Sequence, residues 1–252
     1  MRQAVNLLSS AARVAALTGA GVSKESGIPT FRDAQTGLWA QYDPTQLATP
    51  QAFRRAPRLV WDFYEYRREL MRPAQPNPAH IALAQLERRV PQFTLITQNV
   101  DDLHERAGSI HIIRLHGQIH RNKCFNACRG EPTYVDVAAL EWDRAAGPPK
   151  CPHCEAFVRP DVVWFGEALP AVALSAAQSA SATAEVMLIV GTSGMVTPAA
   201  DLPYIARQSG AALIEFNPLP SAITPIVNLH IAETAGVALP RLLAALEERH
   251  GA

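Results

Sequence analysis

The chain's four cysteines, Cys124, Cys128, Cys151 and Cys154, form two close pairs with 22 residues between them. Two thiolates on each of two tight turns is the spacing of a tetrahedral zinc site. Two disulfides or unrelated buried thiols are the other reading. Disulfides call for an oxidising compartment, and the sequence offers no export signal. The first pair is C-x3-C where C-x2-C is commoner, and His120 or His153 could stand in as a ligand. Four protein ligands leave no open position for water, so zinc here would hold the fold together and do no chemistry.

Val14-Ala15-Ala16-Leu17-Thr18-Gly19-Ala20-Gly21-Val22-Ser23 reads as a buried strand entering a glycine-rich turn before a helix. A nucleotide phosphate can rest there on backbone N–H groups and a helix N-terminus. The stretch lacks the third glycine of the usual fingerprint and the strand-end acid about 20 residues on. It therefore also reads as a tight-packing turn without a ligand. His116 follows the apolar run His111–Leu115 and precedes Gly117, which puts it at a strand end. An imidazole with an unperturbed pKa near 6.5 takes and returns a proton near neutrality. By residue type alone, though, it is one of eight histidines, any of which serves equally on a surface or in a core.

The elements that must position these residues alternate short apolar runs with longer amphipathic segments. Strands are expected at Val14–Thr18, Phe93–Thr97, His111–Leu115, Val186–Val190, Ala211–Phe216 and Val227–Ile231. Their cores are β-branched or Leu-rich and mostly unalternated, as in strands covered on both faces. Helices are expected at Ala56–Met71, Pro78–Arg89, Asp101–Ala107, Ala171–Thr183, Asp201–Gln208 and Pro240–Glu248. The alternation predicts an α/β fold with a Rossmann-like parallel sheet. Residues 121–159 hold every cysteine, several turn residues and little strand-like sequence, and read as a small zinc-binding module inserted into it. The expected division is 1–50, 90–120 and 160–252 for the Rossmann-like nucleotide-binding domain, 51–89 for a helical segment of a smaller domain, and 121–159 for the zinc module.

Over 252 residues, 23 Lys+Arg balance 23 Asp+Glu, so the formal net charge is zero. That excludes a protein holding nucleic acid by phosphate neutralisation, which would carry a basic excess. Within 121–159, Arg121, Lys123, Arg129, Lys150 and Arg159 are offset by Glu131, Asp136, Glu141, Asp143 and Glu155. A hydrophobic share of 48% excludes a disordered chain. No apolar run reaches the roughly 18 residues of a membrane span, so no membrane partner is expected. Asn6, Ser9, Ser10 and Arg13 interrupt the Ala/Leu-rich start at helical intervals, which suits an amphipathic first helix better than a signal peptide. Cytoplasm is the expected compartment.

The segments GAGVSKESGIPTFRD (19–33), TQNVDDLH (97–104), LHG (115–117), the paired cysteines, VVWFGE (162–167), GTS (191–193) and EFN (215–217) occur together and in order. In this the sequence resembles the sirtuins, a family of NAD-dependent protein lysine deacylases. The resemblance implies that Gly19, Ala20 and Gly21 cradle the NAD pyrophosphate and that Phe31 and Arg32 lie on a loop covering the cofactor. It implies that Gln98, Asn99 and Asp101 line the nicotinamide and ribose pocket, with Asn99 and Asp101 also catalytic. Gly191, Thr192, Ser193 and Asn217 would hold the ribose and adenine, with Ala235 a further cofactor contact where some relatives carry cysteine. His116 would be the general base: the acyl-lysine oxygen attacks the ribose C1′ as nicotinamide leaves, and His116 deprotonates a ribose hydroxyl. His104, three residues after Asp101, is expected to be structural. Each expected cofactor residue follows an apolar strand, at the carboxyl edge where ligands bind in parallel α/β sheets.

Tyr64 and Arg67 share one face of an expected helix at i, i+3. The sirtuin branch that removes negatively charged acyl groups carries a Tyr-x-x-Arg pair at this place. Guanidinium grips a carboxylate bidentately and a phenol adds one directed hydrogen bond. The expectation is a desuccinylase/demalonylase with residual deacetylase activity, acting on acylated lysines of proteins. Alternatives are a plain deacetylase with Tyr64 and Arg67 facing solvent, an ADP-ribosyltransferase, and a non-enzymatic NAD-binding or zinc-ribbon module. Helix charges alone allow Arg67 or Arg68 to pair with Glu65 or Glu69, and Tyr64 to act with Arg68; only the resemblance selects Arg67. In the family, VVWFGE borders the acyl-lysine channel and lends a strand edge to the peptide, so Val163, Phe165 and Gly166 are expected substrate contacts with little side-chain readout.

Overall fold

The structure, a computed structural model, describes residues 1–30 and 37–250. Phe31 and Arg32 lie outside the described residues. In chain order the elements are α1 (Arg2–Ser9), β1 (Arg13–Thr18), α2 (Gly21–Lys24), α3 (Pro44–Leu47), α4 (Pro50–Arg55), α5 (Pro57–Met71), α6 (Pro78–Glu87), β2 (Gln92–Thr97), α7 (Leu103–Arg106) and β3 (Ile112–Arg114). Then come β4 (Gly117–Cys124), β5 (Val158–Val162), α8 (Ala171–Thr183), β6 (Val186–Val190), α9 (Leu202–Gln208), β7 (Ala212–Phe216), β8 (Leu229–Ile231) and α10 (Ala235–His250), with short 3₁₀ turns between. Two compact units result. The larger comprises Met1–Thr30, Ala74–Leu115 and Pro170–Ala252, the smaller Phe31–Pro73 and His116–Leu169.

In the larger unit six strands form one parallel sheet in the order β3-β2-β1-β6-β7-β8. Numbered within that unit this is 3-2-1-4-5-6, the order of the doubly wound dinucleotide-binding fold. The α/β expectation holds, and every expected strand is present; Val186–Val190 has the expected bounds and is buried along its whole length. Leu8 of α1, Leu83 of α6 and Leu242 of α10 pack in one core with Val14, Leu95 and Leu188 of the sheet. Strand order reverses between β1 and β6, whose last residues Thr18 and Val190 are register partners. The loops leaving these two strands therefore emerge side by side.

Two helices differ from expectation. α6 belongs to the larger unit rather than to the 51–89 segment, because Asn77 opens it with a cap that ties it to α2. The Asn77 side chain accepts from Ala79 N–H at 2.9 Å and donates to the Val22 carbonyl at 2.8 Å. α10 starts at Ala235, five residues before Pro240, which sits inside the helix. A proline usually marks a helix start; here the Glu25 carboxylate takes the Gly236 N–H at 2.8 Å and the Thr234 hydroxyl at 2.9 Å, so the first turn forms ahead of it.

The smaller unit is built on α4, α5 and an antiparallel pair, β4 and β5, with a register shift between Gln118 and Asn122. The sequence of β4, Gly-Gln-Ile-His-Arg-Asn-Lys-Cys, has too few apolar residues to read as a strand, and its partner lies more than 30 residues away. Gly117 is obligatory at its start: φ is +79° and a Cβ there would lie 2.1 Å from the Asp161 carbonyl oxygen. Residues 121–159 do not stand apart as their own core. Trp61 of α5 packs with Cys124, Val135, Cys151 and Val158. No helix of the described residues is long and apolar enough to cross a membrane.

Candidate active site

The turn after β1 and the turn after β6 meet at the switch point. Gly19 N–H donates to the Val190 carbonyl at 3.0 Å and Gly21 N–H to the Gly191 carbonyl at 2.8 Å. A Cβ on Gly21 would sit 2.6 Å from the Gly191 oxygen, and one on Gly191, where φ is +59°, 2.4 Å from Val22 N. The glycines thus serve close approach of two backbones, and of the Gly19–Gly21 donors only Ala20 N–H lacks a protein acceptor among the described residues. Beyond this turn, Gln98 Nε2 donates to Thr192 Oγ1 at 3.0 Å and Asn217 Nδ2 to the Thr192 carbonyl at 3.1 Å. Gln98, Thr192 and Asn217, called from three separate segments, are one hydrogen-bonded chain along the carboxyl edge. Exposed Ser193 continues it, and buried Ala235 opens α10.

Below that edge lies a buried polar cluster. Ser23 Oγ donates to Asp101 Oδ2 at 2.9 Å and accepts from Asn99 Nδ2 at 3.0 Å. Burial raises the Asp101 carboxyl above the usual carboxylate range, opposed by hydrogen bonds from Leu103 N–H and Ser23 and by the charge of Arg114. His80 lies 3.4 Å from Ser23 Oγ through Nε2 and accepts from Asn77 N–H at Nδ1, at 3.3 Å. Its ring is 4.8 Å from that of His104, whose Nε2 is 3.0 Å from Thr18 Oγ1. Burial lowers His80 to about 4, and burial with the neighbouring His80 and Arg114 lowers His104 well below the ordinary value. Both rings are neutral at physiological pH. His104 is buried against Thr18 and His80.

In the smaller unit the four cysteine sulfurs all lie within 4.8 Å of one another. Cys124 and Cys154 are 3.5 Å apart at sulfur, and Cys128 and Cys151 3.8 Å. A ZnS₄ tetrahedron with bonds of about 2.3 Å has edges of about 3.8 Å, so the donor set fits a zinc ion. The thiols are free, which sets the two-disulfide reading aside. Neither His120 nor His153 joins the cluster among the described residues. Left-handed residues, Ala127 with φ +48° and Glu155 with φ +59°, complete the two turns that carry the thiols.

His116 opens the smaller unit between β3 and β4, half-buried, its carbonyl accepting Val163 N–H at 3.0 Å. Tyr64 and Arg67 of α5 are both buried. Burial pushes the Tyr64 phenol up to about 12 against the pull of Arg67, and burial lowers Arg67 from its ordinary value. The helix-charge pairings resolve elsewhere: Arg68 pairs with Glu65 and reaches Asn122 and the Ile119 carbonyl, and Arg72 pairs with Glu69. Tyr64 Oη accepts a 2.9 Å hydrogen bond from Trp164 Nε1. Among the described residues no acceptor takes its own proton. In the 163–167 segment the N–H groups of Val163, Trp164, Phe165 and Glu167 go to His116, Glu167, Ala48 and Trp164, and that of Gly166 has no acceptor among the described residues.

Reasoning from sequence passed over Ser23, His80, Arg114 and Trp164. The Pro78 start with Asn77 before it and His80 at the third helical position was a readable capping signal. Trp164 was readable only as the inward alternate between Val163 and Phe165, and nothing local marked Ser23 or Arg114.

Residues 19–198 match the profile of the Sir2 family. The chain is 52% identical over 96% of its length to 95% of a Ralstonia nicotianae protein named NAD-dependent protein deacylase. It is 49% identical over 94% of its length to 94% of a Pyrococcus furiosus protein of the same name. The crystal structure of a Sir2 homologue–NAD complex superimposes with a TM-score of 0.90 at 43% identity, covering 99% of this chain and 94% of that one. A Sir2 protein bound to acetylated peptide superimposes at 0.84 with 31% identity, covering 100% of this chain and 98% of that one. With the Rossmann-ordered sheet, the switch-point turns and the four-thiol cluster already in place, these matches establish that the chain belongs to the Sir2 family, the sirtuins.

Proposed function

We propose that this protein is an NAD-dependent protein-lysine deacylase that favours succinyl and malonyl groups, releasing nicotinamide and 2′-O-acyl-ADP-ribose. The observation that carries the acyl preference is Tyr64 beside Arg67 on one buried face of α5. A neutral phenol and a guanidinium, charged near neutrality, together match a carboxylate, the group by which succinyl and malonyl differ from acetyl. The names of relatives at about half identity support the deacylase reading.

The residues at the carboxyl edge fit NAD. The glycine turns let a ligand approach the backbone, Ala20 N–H remains as a donor, and the Gln98–Thr192–Asn217 chain offers polar groups along the strand ends. When bound, NAD supplies a ribose carbon that the acyl oxygen attacks with loss of nicotinamide. Asn99 and Asp101 would orient the ribose and nicotinamide, preorganised by Ser23, and His116 would take a ribose hydroxyl proton at its imidazole and later return it. Zinc would brace the smaller unit without touching the reaction. The substrate's main chain would run along Val163–Gly166, with side-chain sequence read only weakly.

Deacetylation is the secondary activity, in keeping with the structural neighbour bound to acetylated peptide. The test is kcat/KM on matched acetyl-, malonyl- and succinyl-lysine peptides for wild type and Arg67→Met. A charge-assisted pair contributes about 1.5–3 kcal/mol, so desuccinylation is expected to fall roughly 10- to 100-fold and deacetylation far less. Equal losses, or none, would sink the acidic-pocket reading.

A further inference from the structure

We infer that Trp164 is a positioning residue for acyl selectivity, its indole N–H fixing the Tyr64 hydroxyl so that the phenol donates to the substrate's acyl group. The inference rests on the acidic-acyl reading above and names a residue that acts through Tyr64 alone.

An indole N–H is a donor only, and buried it must find an acceptor. Trp164 is 1% exposed, and its acceptor is the Tyr64 oxygen at 2.9 Å, itself 2% exposed. With one lone-pair direction of the phenol occupied by the indole, its own hydrogen must turn to another. There it meets no acceptor among the described residues. A buried donor without a partner is unfavourable, so a substrate group that accepts this hydrogen bond relieves a standing penalty. A carboxylate oxygen accepts more strongly than an acetyl methyl, which accepts nothing.

The indole is itself held on several sides. The Arg159 guanidinium stacks over the Trp164 ring at 3.3 Å and forks onto Glu167 at 2.5 and 2.9 Å, and Glu167 takes the Trp164 main-chain N–H at 2.8 Å. Phe53 packs on the ring at 5.2 Å between centroids. The tryptophan thus has little freedom to release the phenol. Its chain neighbours Val163 and Phe165 are the proposed peptide contacts, so one residue links the peptide-binding segment to the group that selects the acyl tail.

The experiment measures the ratio of desuccinylation to deacetylation, each as kcat/KM, in wild type, Trp164→Phe, Tyr64→Phe and the double variant. A protein carrying benzothienylalanine at position 164 is added, which keeps the indole shape without the N–H and covers the case in which Trp164→Phe does not fold. Removing the N–H is expected to lower the ratio about fivefold, the worth of one neutral hydrogen bond. In the Tyr64→Phe background the same change is expected to leave the ratio where Tyr64→Phe put it, since the acceptor is gone. An unchanged ratio in the benzothienyl protein overturns the inference. So does an additive loss in the double variant, which would mean that Trp164 acts by packing. If Arg67→Met collapses the ratio while the Trp164 changes do not, this inference fails and the acidic-acyl reading stands. A wild type without acidic preference, indifferent to Arg67→Met, overturns both.

Discussion

Arg114 holds Asp101 by the backbone: Nη2 donates to the Asp101 carbonyl at 2.8 Å. The same guanidinium reaches the Asn99 carbonyl at 3.3 Å through Nη1 and the Glu105 carboxylate at 2.7 Å through Nε. One side chain at the end of β3 thereby clamps both ends of the Asn99–Asp101 loop and anchors the clamp on α7. The Asp101 carboxylate accepts from Ser23 Oγ and Leu103 N–H.

Arg114→Ala is expected to raise KM for NAD and to lower kcat/KM about 10- to 100-fold, the scale of a small misplacement of catalytic groups. Arg114→Lys recovers little, because an ammonium cannot span the loop with a planar fork. A Glu105→Arg, Arg114→Glu exchange restores an ion pair but not the carbonyl donors, so it is expected to stay impaired. Full recovery on exchange would mean that only the charge pair matters.

His116→Tyr is expected to lower acyl-peptide-dependent NAD consumption by roughly 10²–10⁴, the usual contribution of a general base, with NAD affinity retained. Turnover at the wild-type rate, followed by nicotinamide release, refutes the assignment.

Purified protein is expected to carry about one zinc per chain. Chelation or Cys151→Ser is expected to lower the melting temperature, because Cys151 lies in the same core as Trp61 and Val158 and site formation is coupled to folding. Metal analysis finding no zinc in active protein would contradict the site.

Stability is expected to fall as pH drops from 7 towards 4.5. His80 titrates at about 4 in the fold against about 6.5 unfolded, and His104 is shifted the same way. Between those values the unfolded chain binds protons that the folded chain does not. The His80 contribution is therefore complete above about 6.5 and is lost progressively towards 4, at up to about 1.4 kcal/mol per pH unit, and His104 acts in the same direction. Asp101, shifted upward, works in the opposite sense just above the ordinary carboxylate range. Urea unfolding at pH 7 and pH 5 reads the slope, and His104→Leu should make it shallower. Equal unfolding free energies at the two pH values would show that the imidazoles titrate normally.

Much of the fold was legible because its signals are local. Parallel strands buried on both faces are near-continuous apolar runs, so Val186–Val190 showed its own bounds. The β4–β5 pair was not legible: its polar sequence gains strand structure only from a partner far along the chain. Pro240 misled for a related reason, since the cap that lets α10 start earlier is Glu25, two hundred residues upstream. The cysteine spacing announced a metal site, but the convergence of the four sulfurs is a product of the fold.

By itself the sequence determined the α/β alternation, the glycine turn, the paired thiols and the family resemblance, all of which depend on residue types at short spacing. Only the tertiary structure decided which polar groups share a partner. Tyr64 and Trp164 meet across 100 positions of sequence, and Ser23 joins Asn99 and Asp101 across more than 70. It also decided that Gly19 and Gly21 are needed for backbone approach, their N–H groups being taken by Val190 and Gly191. The physical reason is that hydrogen bonding and burial act between neighbours in space, and that neighbourhood exists only once the strands and helices have packed.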